Sequence, residues 1–262
     1  MRIIDAHAHI FPEKIADRAC GAISDFYGGV PMDCRGTAEA LLAAGQTIGV
    51  EQYVVFSTAT KPEQVESINS FIIDQCAKHP EFIGLGTMHQ AYADFACELD
   101  RIQGAGLPGI KLHPDFQKVQ IDDRRLFPIF DILSSLGMFL LTHAGDARYD
   151  YSHPARIARV AKEFPRLRII AAHFGGWSQW DAAMQYLDLP NVYFDTSSTL
   201  PFDGRNMARR MLDTMDPARF FFGTDFPMWN HEEELARLAG LGLPEAVLEN
   251  ILGNNFIAFL RA

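Results

Sequence analysis

The histidines of this sequence gather where β-rich runs end. His7 and His9 follow the run Arg2–Asp5, His113 closes Gly109–His113, His143 closes Met138–His143, His173 closes Leu167–His173, and Asp225 closes Phe220–Asp225. Residues i and i+2 of a strand point the same way, so Asp5, His7 and His9 are expected on one face and Ala6 and Ala8 on the other. Two imidazoles at that spacing can grip one cation from a single extended segment. Neutral imidazole and carboxylate are usual ligands for zinc and similar divalent metals. His143 and Asp225 would complete three nitrogens and one oxygen and leave a position for water. His173 is an active-site candidate in one of two roles, as ligand of a second metal or as a free imidazole beside the bound water.

Lys111 and His113 share an inward face, with Leu112 turned towards the helices. An inward lysine is costly unless it is paired. Three uses stay open for Lys111: binding a substrate carboxylate, carrying a carbamate that bridges two metals, or neutralising nearby aspartate. His89 faces the presumed pocket, and Arg148, in the loop after the fifth strand, reads as a surface arginine. His79 reads as a surface residue and His153 as a helix start. His231 opens the acidic stretch Glu232-Glu233-Glu234, where a cap or a solvent contact is expected.

Groups this far apart meet only if the fold brings strand ends together. Eight β-rich runs are present: Arg2–Asp5, Tyr53–Ser57, Phe82–Met88, Gly109–His113, Met138–His143, Leu167–His173, Val192–Thr196 and Phe220–Asp225. Helical patterns such as Lys61–His79, Arg124–Leu136 and Pro154–Phe164 separate them. Alternation of this kind predicts parallel βα units. Eight units in 262 residues are the size of one α/β domain over residues 1–262, a (β/α)8 TIM barrel. In such a barrel catalytic groups come from the C-terminal ends of several strands. A doubly wound sheet is the rival, but no GxGxxG follows the first run. The connection Phe11–Gly36, with Gly28, Gly29 and Pro31, is a candidate lid.

Composition sets the outer limits. The chain is 48% hydrophobic with a net charge of −10, which argues against non-specific binding of nucleic acid or an anionic membrane. No apolar run approaches the roughly 18 residues needed to span a bilayer. Cys20, Cys34, Cys76 and Cys97 form no CxxC pair and are expected as reduced thiols in a cytoplasmic protein. A small-molecule substrate is the expected partner, with a homo-oligomer possible.

Five motifs in order, Asp5-Ala6-His7-Ala8-His9, Gly109-Ile110-Lys111-Leu112-His113-Pro114, Thr142-His143-Ala144-Gly145, Ala172-His173-Phe174-Gly175-Gly176 and Gly223-Thr224-Asp225-Phe226-Pro227, resemble the amidohydrolase superfamily. The likeness is to the amidohydrolase-related branch that includes aminocarboxymuconate-semialdehyde decarboxylase. It implies a distorted (β/α)8 barrel and a mononuclear metal site, usually zinc, held by His7, His9, His143 and Asp225, with His173 as general acid/base. Members either hydrolyse small carbonyl compounds or decarboxylate aromatic or unsaturated acids. Hydrolysis of an ester, lactone or amide is the first expectation here and decarboxylation the alternative.

Overall fold

The computed structural model describes residues 2–202 and 204–262. Its strands are β1 (Ile3–His9), β2 (Val50–Phe56), β3 (Phe82–Gly84), β4 (Gly86–Thr87), β5 (Gly109–Leu112), β6 (Phe139–Thr142), β7 (Ile169–Ala171), β8 (Val192–Asp195) and β9 (Phe220–Phe221). All pair in parallel with their neighbours in chain order, as one set from β1 to β3 and another from β4 to β9. The expected third strand is therefore present in two pieces, interrupted at Leu85, whose N–H still donates to Val55 O at 2.9 Å. The glycines beside the break let helices pack tightly. A Cβ at Gly84 would lie 2.6 Å from Cys76 Sγ, and one at Gly86 2.5 Å from Ile102 Cδ1.

The ring closes between the last strand and the first. Ala6 N–H donates to Phe222 O at 2.8 Å, Asp225 N–H to His7 O at 2.9 Å and His9 N–H to Phe226 O at 2.7 Å. The result is the (β/α)8 barrel that the alternation predicts.

Strand alternation sorts the side chains into two cores. Ile4, Ala6, Val54, Phe56, Phe139, Leu141, Ile170, Ala172 and Phe221 fill the barrel interior, and Phe256 and Phe259 of the C-terminal helix Asn255–Arg261 join the same core. Ile3, Val55, Ile110, Leu112, Leu140, Ile169, Phe194 and Phe220 pack in the outer core with the helices. Leu112 thus faces the helices, and Lys111 lies fully buried with its Nζ 4.8 Å from the Phe56 ring.

β1 departs from simple alternation. Its register with β2 slips between Asp5 and Ala8. Ala6 belongs to the interior core and Ala8 to the outer one, so the two do not share a face. Asp5 does not join His7 and His9 either: its carboxylate accepts from Thr224 N at 3.0 Å and Thr224 Oγ1 at 2.7 Å and lies 3.0 Å from His231 Nε2. The slip is what turns both imidazoles inward. It also corrects the reading of His231, which is a fully buried partner of Asp5 rather than a solvent-facing cap. Asn230 caps that helix instead, accepting from Glu233 N.

The segment after β1 holds a helix, Ala16–Phe26, which ends at Phe26 and Tyr27 over the barrel mouth. Arg148 pins this end: it pairs with Asp146 at 2.7 Å, donates to Phe26 O at 2.6 Å, and lies 4.7 Å from the Phe26 ring centre. The four cysteines are free thiols. No described helix is long and apolar enough to cross a membrane.

Candidate active site

Backbone geometry at the mouth is demanding, which explains the glycines of the motifs. His173 and Asp225 both sit in the left-handed region, with φ of 61° each. The loops after β6 and β7 touch through backbone. Trp177 N–H donates to Ala144 O at 2.7 Å, and a Cβ on Gly145 would meet Gly176 C at 2.6 Å. Likewise Gly223 lies against His7, where a Cβ would come within 2.9 Å of His7 Cβ. Only bare backbone permits such approach.

Three side chains converge most closely: His7, His173 and Asp225 each offer a ligand atom within 4.8 Å of the others. His7 Nε2 lies 3.3 Å and His9 Nε2 3.2 Å from Asp225 Oδ1. His143 approaches through His173, with Nδ1 3.0 Å from His173 Nε2. Its other nitrogen, Nε2, is buried without a hydrogen-bond partner, 3.8 Å from Asp115 Oδ2. The sequence candidates therefore assemble in one place, but His173 rather than His9 or His143 completes the tightest trio. Lys111 Nζ is 3.3 Å from His7 Nε2. His113 stacks between Phe116, at 3.6 Å, and His143, at 4.1 Å.

The hub of the cluster is a residue that the motifs did not flag. Asp195 ends β8, fully buried. Its Oδ2 lies 2.8 Å from His7 Nδ1. Its Oδ1 accepts from His173 N and Ser197 N, both at 3.1 Å, and from the Ser197 hydroxyl. Ser197 in turn faces His173 Nδ1, through Oγ at 2.8 Å and its carbonyl at 3.2 Å. The carbonyl can only accept, so His173 carries its hydrogen on Nδ1 and a lone pair on Nε2. The one available signal was Asp195's place at a strand end.

Charge states follow from burial and these partners. Burial holds Asp195 against ionisation, but His7 outweighs it and brings the carboxyl down to about 2. Burial pushes His173 and His9 each down to about 4. Burial and Lys111 oppose protonation of His7, yet Asp195 and Asp225 prevail and its pKa is raised. Burial lowers Lys111 to about 8. Burial opposes ionisation of Asp225 too, but the neighbouring imidazoles hold its pKa well below the usual range.

The donor set suits a divalent cation. The His9 imidazole, held neutral by burial, lies 3.2 Å from the ionised Asp225 carboxylate, and His7, 3.3 Å from the same oxygen, would give up its proton to a bound metal. His7 is fixed by its carboxylate partner in the orientation usual for metal-binding histidine. Beside the cluster lies a narrow cavity whose lining includes His173, Asp225, Ser198 and the rings of Tyr27, Trp177 and Phe202. Ser198 donates to Asp225 Oδ2 and accepts from Trp229 Nε1.

A closed parallel barrel with its ionisable cluster at the C-terminal mouth places the chain among the barrel enzymes. The model of the amidohydrolase family matches residues 4–262, and the chain belongs to that family. Among solved structures, 5-carboxyvanillate decarboxylase from Sphingomonas paucimobilis is 18% identical with a TM-score of 0.78, covering 99% of each chain. Dihydroxybenzoic acid decarboxylase from Polaromonas sp. JS666, holding manganese and 2-nitroresorcinol, is 16% identical with a TM-score of 0.77, covering 99% of this chain and 97% of that one. A probable 2-pyrone-4,6-dicarboxylic acid hydrolase from Acinetobacter baumannii, with citric acid bound, is 15% identical with a TM-score of 0.73, covering 100% of both. At these identities the likeness is one of fold.

Proposed function

We propose that this enzyme removes carbon dioxide, without redox change, from an aromatic or conjugated carboxylic acid. The observation that carries the reading is the set of aromatic side chains, Tyr27, Trp177 and Phe202, gathered beside His173 and Asp225. Aromatic walls suit a flat ring. Hydrolysis of a small carbonyl compound is the first expectation from the sequence, but it uses the same ionisable parts, so the ligand set does not separate the two reactions. Several similar folds are named as decarboxylases, and this favours the carboxy-lyase reading.

In this reading His7, His9, His143 and Asp225 hold one divalent ion. Bound there, the ion supplies positive charge that steadies negative charge developing on substrate oxygens. Zinc fits the donor set, and manganese is the ion named with the Polaromonas neighbour. Elemental analysis of purified protein identifies the ion and counts it. His173 enters the cycle neutral, with its lone pair on Nε2. It takes up a proton there from solvent water and gives it to the carbon that bears the carboxylate. As that C–H bond forms, the C–C bond to the carboxylate breaks, its electron pair stays on the ring carbon, and carbon dioxide leaves. Asp225 Oδ1 stays ionised against His7 and His9, and Oδ2 is held by Ser198. Lys111, beneath His7 and fully buried, offsets the charge of Asp195 and Asp225.

The test is a panel of hydroxybenzoates and pyrone lactones offered to the manganese- or zinc-loaded enzyme. Carbon dioxide release with one decarboxylated arene per turnover is the expected result. Ring opening of a lactone with no carbon dioxide from any acid would replace this reading with the hydrolytic one.

A further inference from the structure

Tyr27, directly after the helix Ala16–Phe26, carries an uncommitted hydroxyl hydrogen. His113 Nδ1 accepts from Phe116 N–H at 3.3 Å. A backbone N–H can only donate, so His113 is the neutral tautomer with its hydrogen on Nε2. That nitrogen lies 3.1 Å from the Tyr27 hydroxyl and must donate to it. The Tyr27 oxygen is therefore an acceptor towards His113, and among the described residues no acceptor takes its own hydrogen. Of the two hydroxyl groups that line the cavity, Ser198's is committed to Asp225 and Tyr27's is not.

The cationic side chains nearby are occupied. The Arg148 guanidinium is committed to Asp146 and Phe26 O. Lys111 lies below His7 and is fully buried. An acid at this mouth thus meets an aromatic wall and the hydroxyl hydrogen of Tyr27, while His173 Nε2 faces His143 Nδ1 at 3.0 Å.

We propose that Tyr27 is the substrate-positioning residue of this site, its hydroxyl donating to a carboxylate oxygen of an aromatic acid while His113 holds the phenol in place. The inference rests on the decarboxylase reading for its choice of acid. It gives the Ala16–Phe26 lid a chemical task, because the donor arrives with the end of that helix. It also gives His113 a role as the group that orients Tyr27. Tyr27 selects ligands by the negative charge they present, because a hydrogen bond to a charged acceptor is stronger than one to a neutral acceptor.

The probes are 2,6-dihydroxybenzoate and resorcinol, the same ring without the carboxylate, titrated into metal-loaded wild type and Tyr27→Phe. The benzoate Kd should rise about tenfold or more in the variant, while resorcinol shifts less than twofold. His113→Phe, which keeps the ring stack and removes the Nε2 donor, should weaken the benzoate selectively as well. Equal weakening of both ligands, or no change in either, overturns the proposal. A wild type that binds the benzoate no better than resorcinol overturns it too. Carbon dioxide release is scored separately. The binding contrast without turnover keeps Tyr27 and removes the reaction, whereas turnover without the contrast removes Tyr27 alone.

Discussion

Asp195 Oδ2 lies 2.8 Å from His7 Nδ1, and the other oxygen of the same carboxylate accepts from His173 N. One buried side chain thus sets the ring of a proposed metal ligand and the backbone of the proposed acid/base. Asp195→Asn is a sharp test of that arrangement. Three donors crowd Oδ1, so the amide oxygen must stay there and the NH2 group must turn to His7. It would donate to Nδ1, which moves the imidazole hydrogen to Nε2, opposite Asp225. Metal affinity should fall about 10–100-fold, the usual loss when an orienting partner is removed. Asp195→Ala should also lower the thermal midpoint, because it leaves His7 buried without its carboxylate. Titrating metal into apo protein measures the first effect, and wild-type affinity in the Asn variant would remove Asp195 from the site.

The two facing histidines separate ligand from acid/base. His143 Nδ1 and His173 Nε2 are 3.0 Å apart, so geometry alone allows either to reach the ion. In the proposed assignment His143→Ala loses the metal, as do His7→Ala and Asp225→Ala. His173→Asn keeps it while turnover falls by roughly a hundredfold or more. Metal content by emission spectroscopy, read beside kcat, checks both variants. Retained metal in His143→Ala with lost metal in His173→Asn would exchange the two roles and make the His7–His173–Asp225 trio the ligand set.

How much of this was open to sequence reasoning depends on how each residue is held. His7, His113, His143, His173 and Asp225 could be found because strand ends in a barrel converge whatever the intervening helices do. Asp5 and Ala6 were misplaced because a register slip in β1 breaks the two-residue period, and no local pattern signals a slip. His231 was misplaced because its partner, Asp5, is 226 positions earlier (231 − 5) and its acidic neighbours imitate an exposed helix start. Asp195 and Tyr27 act through contacts 188 and 86 residues away in sequence. Such pairs become visible only when the barrel is closed.

Gly145 links fold to chemistry. Its φ is 75° and a Cβ there would sit 2.6 Å from Gly176 C, so alanine meets both backbone strain and a backbone clash. Gly106 has a φ of 89° with nothing within 4 Å of a Cβ, so alanine there carries the strain alone. Gly106→Ala should cost about 1 kcal/mol and leave kcat unchanged. Gly145→Ala should cost more, and it should lower kcat by displacing Trp177 and the His173 loop, since Trp177 N–H bonds to Ala144 O. Thermal melts and steady-state rates of the pair resolve the two effects. Equal melting points with full activity in both would show that the loops have slack.

Acidification should weaken the metal-free fold in a defined window. His9 and His173 are held to about 4 against an ordinary 6.5, so both are buried neutral. Between those values the unfolded chain binds more protons than the folded one, and stability falls as pH falls. Their contribution is complete above 6.5 and is lost on the way down to about 4. His7 runs the other way: its raised pKa contributes stability below 6.5 that is lost as pH rises through the folded value. Burial lowers His113 and His143 as well, and these four histidines outweigh His7 and the buried carboxyls Asp115 and Glu234, which are shifted up, so the melting temperature of apo protein should drop by on the order of 5 °C or more from pH 7 to pH 5. Removing one of the pair in His173→Asn should flatten that slope. Bound metal should steepen the loss, because protons compete for the same imidazole lone pairs. An apo melting curve that is level across this range would mean that His9 and His173 are open to water.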